Sequence, residues 1–206
     1  MRRILNFSLL FLIIAIFKAL GVIFSLFARK IPPNQHLDDT LRLYRRGPGG
    51  TEFAWFYEIG DRLYIDRGNL GEMADRRDVP LENWPEVEAE IKGLKDAGFA
   101  ELDEDDWQLA QIVYEVPDNA QAAAYLDKRN AVTDLLDEHF ALTGQGHWID
   151  SSVGMGTMEA GFLVVDFEIA RDSMITKLSG TEFADYLAIR DTFSIANPDE
   201  IRAEAL

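Results

Sequence analysis

The chain contains no cysteine, which excludes disulfides, thiolate zinc sites, iron–sulfur ligation and a cysteine nucleophile while leaving the redox compartment open. Only three histidines are present, so imidazole chemistry has few places to reside. Cations are scarce as well, with 20 Lys and Arg against 36 Asp and Glu and a net charge of −16. Five of those cations lie within residues 1–30, where no acidic residue occurs, so the rest of the chain sets 15 cations against 36 carboxylates, a balance of −21. Such a body repels nucleic acid and anionic lipid. Apolar residues are plentiful: they make up 48% of 206 residues, enough for one or two packed domains, which excludes disorder throughout.

The first segment is the least polar. From Ile4 to Ala28 only Asn6, Ser8, Lys18 and Ser25 interrupt an apolar run, with Arg2 and Arg3 before it and Arg29 and Lys30 after. Twenty-five residues at about 1.5 Å each reach roughly 37 Å, enough to cross a hydrocarbon core with some tilt. The membrane cation, Lys18, costs about 3 kcal/mol at a bilayer centre unless it snorkels or pairs, and it lies past the midpoint. A cleaved secretory signal fits less well, because no small-residue pair precedes a polar start and apolar sequence continues after Lys18. The expectation is an uncleaved single-pass anchor over 1–30 and a tether over 31–40, introduced by Pro32 and Pro33. Cations at Arg29, Lys30, Arg42, Arg45 and Arg46 favour a cytoplasmic soluble body under the positive-inside rule.

Residues 41–117 read as a β-rich unit with one helix. Thr40 to Tyr44 and Phe53 to Ile59 flank the turn signal Gly47-Pro48-Gly49-Gly50, and Leu63 to Ile65 adds a third strand. Gly68 and Gly71 read as turn glycines needing positive φ. Asn83, Trp84 and Pro85 open a helix whose apolar positions Val87, Ile91 and Leu94 share a face and which Gly98 ends. A strand from Leu109 to Val116 is expected to close this unit. The acidic run Glu101, Asp103, Glu104, Asp105 and Asp106 fails the calcium-loop pattern, since Trp107 and Gln108 fall where an oxygen ligand and a glycine are required. It reads as a solvated turn.

In order and spacing, Phe56-Tyr57-Glu58-Ile59, Leu63-Tyr64, Arg67-Gly68-Asn69-Leu70-Gly71-Glu72 and the helix ending Lys95-Asp96-Ala97-Gly98-Phe99 resemble the WGR domain over roughly residues 51–102. That is a small β-rich module with one helix, found in poly(ADP-ribose) polymerases and a bacterial molybdate-linked regulator. The signature triplet falls on Arg67-Gly68-Asn69, which keeps the glycine and lacks the Trp and Arg. The family uses these residues for nucleic-acid contact or interdomain packing, and neither role carries over to the altered triplet.

Residues 118–206 read as helix, strand, strand, helix, strand: an α+β sandwich with its helices on one sheet face, resembling the ferredoxin-like class. Asp118 or Asn119 caps the first helix, with Val132, Leu135, Leu136 and Phe140 inward and Gly144 at its end. A strand near His147–Asp150, a small-residue turn over Ser151–Thr157 and a strand over Gly161–Phe167 follow. The second helix, Glu168 to Leu178, places Ile169, Met174, Ile175 and Leu178 inward, and Tyr186–Ile189 is the last strand. The runs Gly144–Asp150, Gly154–Glu159, Val164–Ala170 and Gly180–Tyr186 resemble small uncharacterised bacterial proteins, some of them similar to immunity proteins of polymorphic toxin systems.

Chemical signatures are few. Gly154-Met155-Gly156 does not extend to a dinucleotide loop, whose third glycine would fall at Glu159, so Gly154 and Gly156 read as turn glycines. No P-loop fits, because Phe162 and Leu163 follow Gly161. His147, Asp150 and Glu159 are the candidate binding residues, although strand alternation puts His147 and Ile149 on one face and Asp150 on the other. His36 and His139 have no neighbour in the sequence that would make either a ligand. No catalytic, metal or cofactor site is expected. The leading expectation is a membrane-anchored, acidic, non-enzymatic interaction module, of immunity or regulatory type, that meets a basic protein partner. The alternatives are a WGR-type nucleic-acid accessory, which the charge disfavours, and a hydrolase built on His147, Asp150 and Glu159.

Overall fold

Gly47 and Gly50 face one another across the Pro48-Gly49 turn, and from this hairpin the first sheet grows by simple meander. The computed structural model describes residues 35–117 and 122–192. The chain divides after His36, and Leu37 onward forms one unit. The expected anchor with Lys18, the helix cap at Asp118 or Asn119, and residues 193–206 lie outside the described residues. Among the described residues no helix is long and apolar enough to cross a membrane. The described chain is mixed α+β, with two antiparallel sheets and three helices.

Sheet one runs β1 (Leu41–Gly47), β2 (Gly50–Ile59), β3 (Arg62–Asn69), β4 (Asp75–Pro80), each strand antiparallel to the next. The fourth strand, Asp-Arg-Arg-Asp-Val-Pro, has no apolar alternation. Charge pairing holds it instead: Arg76 lies directly opposite Asp66 and grips its carboxylate with two hydrogen bonds of 2.7 Å, and Arg77 reaches Glu90 on the helix. That helix, α1 (Trp84–Asp96), buries the expected stripe Val87, Ile91 and Leu94 against Leu43, Ala54, Phe56, Leu63 and Ile65. Gly98 (φ +92) ends it and Phe99 N–H returns to Leu94 O.

The strand expected to close this unit pairs elsewhere. β5 (Gln108–Glu115) lies inside the second sheet, between β7 (Thr157–Val164) and β8 (Ala188–Arg190), with β6 (Gly146–Gly154) on the far edge. With α2 (Ala122–Leu142) and α3 (Phe167–Leu178) the second unit therefore reads βαββαβ, all pairings antiparallel. Its apolar run gives no sign of which sheet it joins, which is why proximity in sequence misassigned it. Its core is the helix-facing half of the sheet, with Ile112, Tyr114, Met158, Ala160, Phe162 and Val164 against Val132, Leu136, Phe140, Ala170, Met174 and Leu178.

Three local expectations are corrected. Ser151–Thr157 is not a loop: β6 runs on to Gly154, and Met155 (φ +52) with Gly156 (φ +86) make a two-residue hairpin turn of the kind that needs positive φ at both places. In α3 the buried stripe is Ala170, Met174 and Leu178 at four-residue spacing, so Ile169 and Ile175 fall to its flanks, 37% and 43% exposed. Gly71 has the expected positive φ (+86), whereas Gly68 lies within β3 opposite Phe53 with no positive φ.

The two sheets are joined by a third apolar cluster. Tyr44, Phe53 and Trp55, on the sheet-one face away from α1, meet Leu70 and Val165, with Leu102, Trp107 and Ala141 beside them. Trp55 Nε1 donates to Tyr44 Oη, which donates to Gly144 O at 3.2 Å. Gly71 N–H and Ala74 N–H donate to Thr143 O and Leu142 O.

Candidate functional site

Where the two sheets meet, a cleft of about 510 Å³ opens. β1 contributes Arg42 to it, the 101–107 connection contributes Glu101, Leu102, Glu104 and Trp107, and the second sheet contributes His147 and Leu163. Arg42 stands opposite Trp55 and lays its guanidinium 5.0 Å from that ring, a cation–π contact. Its Nε is buried without a hydrogen-bond partner among the described residues. His147 is half-buried, its ring edge-on to Trp107 at 5.3 Å, and its Nδ1 is likewise buried and unpartnered. Burial, then the Arg42 charge, holds the imidazole below its ordinary pKa, against an opposing pull from Asp137 and Asp39. The cleft thus holds a neutral imidazole, an unsatisfied guanidinium N–H and an indole under a rim of carboxylates. Unsatisfied buried polar atoms of this kind cost about 1–3 kcal/mol each unless a partner arrives.

The strand alternation expected for His147 and Asp150 is broken by a bulge at Ile149. His147 pairs with Leu163, Asp150 with Gly161 and Ser152 with Glu159, and the register shift puts all three on the sheet face away from the helices. His147 and Asp150 therefore share a face, one two-residue step apart, about 7 Å. They do different things. Asp150 is exposed and accepts from the N–H of Ser151. Glu159 is buried, 8% exposed, and accepts from Thr157 Oγ1 (2.8 Å), Ser152 Oγ (3.1 Å) and Gln111 Nε2 (3.4 Å), three neutral donors. No hydrogen bond links His147 to either carboxylate among the described contacts, so the row is not assembled as an acid–base group. Gly154 ends β6 and Gly156 turns it, neither beside His147. No group of three His, Asp or Glu among the described residues is placed to hold a metal ion.

Arg42, Trp107 and the carboxylates of Glu101 and Glu104 were missed by sequence reasoning as parts of this site. The signal available was the acidic run itself, which folds as a short 3₁₀ turn over Glu104–Asp106. Two further ionisable groups were missed. Tyr57 stacks on Tyr64 at 5.5 Å and donates to Asp66, and burial together with that carboxylate pushes its phenol up to about 12. His139, expected to be isolated, meets Ser173 across α2 and α3.

The chain's carboxylates outnumber its cations, and many of the cations are already engaged. Of the 14 Lys and Arg in the described residues, nine form ion pairs, among them Arg45–Glu52, Arg46–Asp106, Arg62–Asp78, Arg67–Glu90 and Lys128–Asp185. Most are exposed and add little stability, but they cancel positive potential locally and leave the surplus carboxylates to set the field. Compared with known proteins, the chain matches no protein-family model, no curated protein and no solved structure.

Proposed function

We propose that this protein is a membrane-anchored, acidic interaction module, non-enzymatic at its cleft and of immunity or regulatory type, that docks a basic segment of a protein partner there. One observation carries the reading: the cleft pairs a carboxylate rim, Glu101 and Glu104, with an aromatic wall, Trp107, and two unsatisfied polar atoms, Arg42 Nε and His147 Nδ1. A cationic side chain finds charge at the rim and a ring to lie on, and the backbone of the same segment finds a donor at Arg42 and an acceptor at His147. Residues 4–28 hold the body at the membrane, with the body on the cytoplasmic side under the positive-inside rule.

The four-stranded meander with one helix supports the WGR-like reading, whose resemblance spans roughly residues 51–102, and the βαββαβ connectivity, which adds β5 to the expected unit over 118–206, supports the ferredoxin-like reading. Nucleic acid remains the poorer partner, because Arg67, the first residue of the altered triplet, is already paired with Glu90. The hydrolase reading gains a shared sheet face for His147 and Asp150 but no hydrogen bond between them.

Titrating the full-length protein in detergent with an octalysine peptide, read through tryptophan fluorescence, tests the docking. We expect saturable binding that weakens about tenfold or more between 50 and 200 mM salt. Absent binding, or binding indifferent to salt, would contradict it. Carbonate washing of membranes tests the anchor: the chain stays in the pellet if 4–28 spans, and is released if it does not.

A further inference from the structure

His139 on α2 and Ser173 on α3 meet with Nε2 and Oγ 2.6 Å apart. Around them the polar groups are nearly all committed. Gln145 Nε2 donates to Ser173 Oγ at 2.9 Å and to Thr143 Oγ1 at 2.7 Å, which uses both its hydrogens. Thr143 donates its own hydrogen to His139 O at 2.7 Å. Ser173 thus accepts from the amide, and its single proton points to the imidazole nitrogen, which acts as acceptor. Burial, then Lys177, keeps that imidazole below its ordinary pKa and hence in the neutral form an acceptor requires.

Three more features bear on the same hydroxyl. Lys177 lies one helical turn beyond Ser173, and no ion pair engages it among the described residues. Ile169 lies one turn before Ser173, 37% exposed, against Gly71, whose turn also presents Met73, 65% exposed. Gln145, 1% exposed, has an Oε1 that is buried without a donor.

We propose that Ser173 and His139 form a nucleophile–base pair that takes an acyl group from small apolar esters. Ser173 Oγ bonds the ester carbonyl carbon while its proton passes to His139 Nε2, and that proton leaves with the departing alcohol as the ester C–O bond breaks. Water then attacks the seryl ester, giving a proton to His139 that returns to Ser173 Oγ as the carboxylic acid departs. Lys177, one turn along the helix, supplies positive charge to the oxyanion, and Ile169, one turn the other way and 37% exposed, offers the acyl chain an apolar contact. Ser173 sits mid-helix, where backbone N–H groups are spent on the helix, so the rate is modest beside that of enzymes with a backbone oxyanion hole. The site shares no side chain with the cleft, and its test needs no partner protein.

The test is labelling of the full-length protein with a fluorophosphonate, which forms the Oγ–P bond and releases fluoride, followed by peptide mass mapping. Expected is one adduct, on Ser173, absent in Ser173→Ala and formed about 100-fold more slowly in His139→Gln. Lys177→Gln, an exposed change, slows labelling by a smaller factor and carries the test if His139→Gln does not fold. No adduct on the wild type, adducts spread over several residues, or wild-type labelling rates in both His139→Gln and Lys177→Gln would overturn the proposal. Burst release of p-nitrophenol from p-nitrophenyl butyrate, lost in Ser173→Ala, separates acyl transfer from mere phosphonylation, and a burst retained in that variant counts against Ser173.

Discussion

Gly144 shows how narrowly single residues are specified where the two sheets meet. Its φ is +66, and a Cβ there would stand 2.3 Å from the buried ring of Phe53. Gly144→Ala is expected to destabilise the protein by about 2 kcal/mol or more in urea unfolding. Gly154→Ala, where nothing lies within 4 Å, should fall within about 0.5 kcal/mol of wild type; equal losses at both would refute the close-approach account. His147 offers a second residue-scale prediction, in pH. Its folded pKa lies below the unfolded 6.5, so the unfolded chain binds the proton more tightly. The contribution to stability is complete above about pH 6.5 and is lost as pH falls through the folded value. The stability difference between wild type and His147→Gln should therefore shift against the wild type between pH 7.5 and 5, and a flat difference would contradict the burial. His147 was visible in the sequence as a lone imidazole in a strand. Arg42, about a hundred residues earlier, and the partnership of His139 with Ser173, 34 residues apart, were not, because only tertiary packing brings them together.

At the scale of elements, periodicity located what buries an apolar stripe. Val87, Ile91 and Leu94 line α1, and Val132, Leu136 and Phe140 line α2, as their spacing predicts. The elements that escaped are those stabilised otherwise. β4 is held by Arg76 on Asp66 and Arg77 on Glu90, which leaves no hydrophobic pattern to read. The bulge at Ile149 moved Asp150 to the face of His147, and one extra residue in a strand has no signature in a single sequence. α3 supplies the test at this scale. Asp166 caps it, its Oδ1 accepting from the N–H of Ile169 at 3.0 Å. Asp166→Ala should cost about 1 kcal/mol, seen as a lower urea midpoint with unchanged slope. A loss below about 0.3 kcal/mol would mean that packing of Ala170, Met174 and Leu178 alone fixes the helix start.

For the molecule as a whole, charge is the dominant fact. Thirty-six carboxylates against 20 cations leave the chain repelling itself. Surface ion pairs, worth about 0–1 kcal/mol each, are weakened by salt, whereas the wider repulsion is relieved by it. Raising NaCl from 10 to 200 mM should raise the melting temperature, and a fall would mean the ion pairs outweigh the surplus. The same surplus was legible from composition alone, while the placing of Glu101 and Glu104 beside Arg42 and His147 was not, since that depends on where the 101–107 connection lies. The most direct measurement compares two variants of equal charge change in titrations with octalysine: Glu101→Gln/Glu104→Gln at the cleft rim and Glu86→Gln/Glu88→Gln on the exposed side of α1. Docking at the cleft predicts that the rim pair weakens binding about fivefold more than the helix pair. Equal weakening by the two would show that the peptide responds to net charge alone and that the cleft is not the docking site.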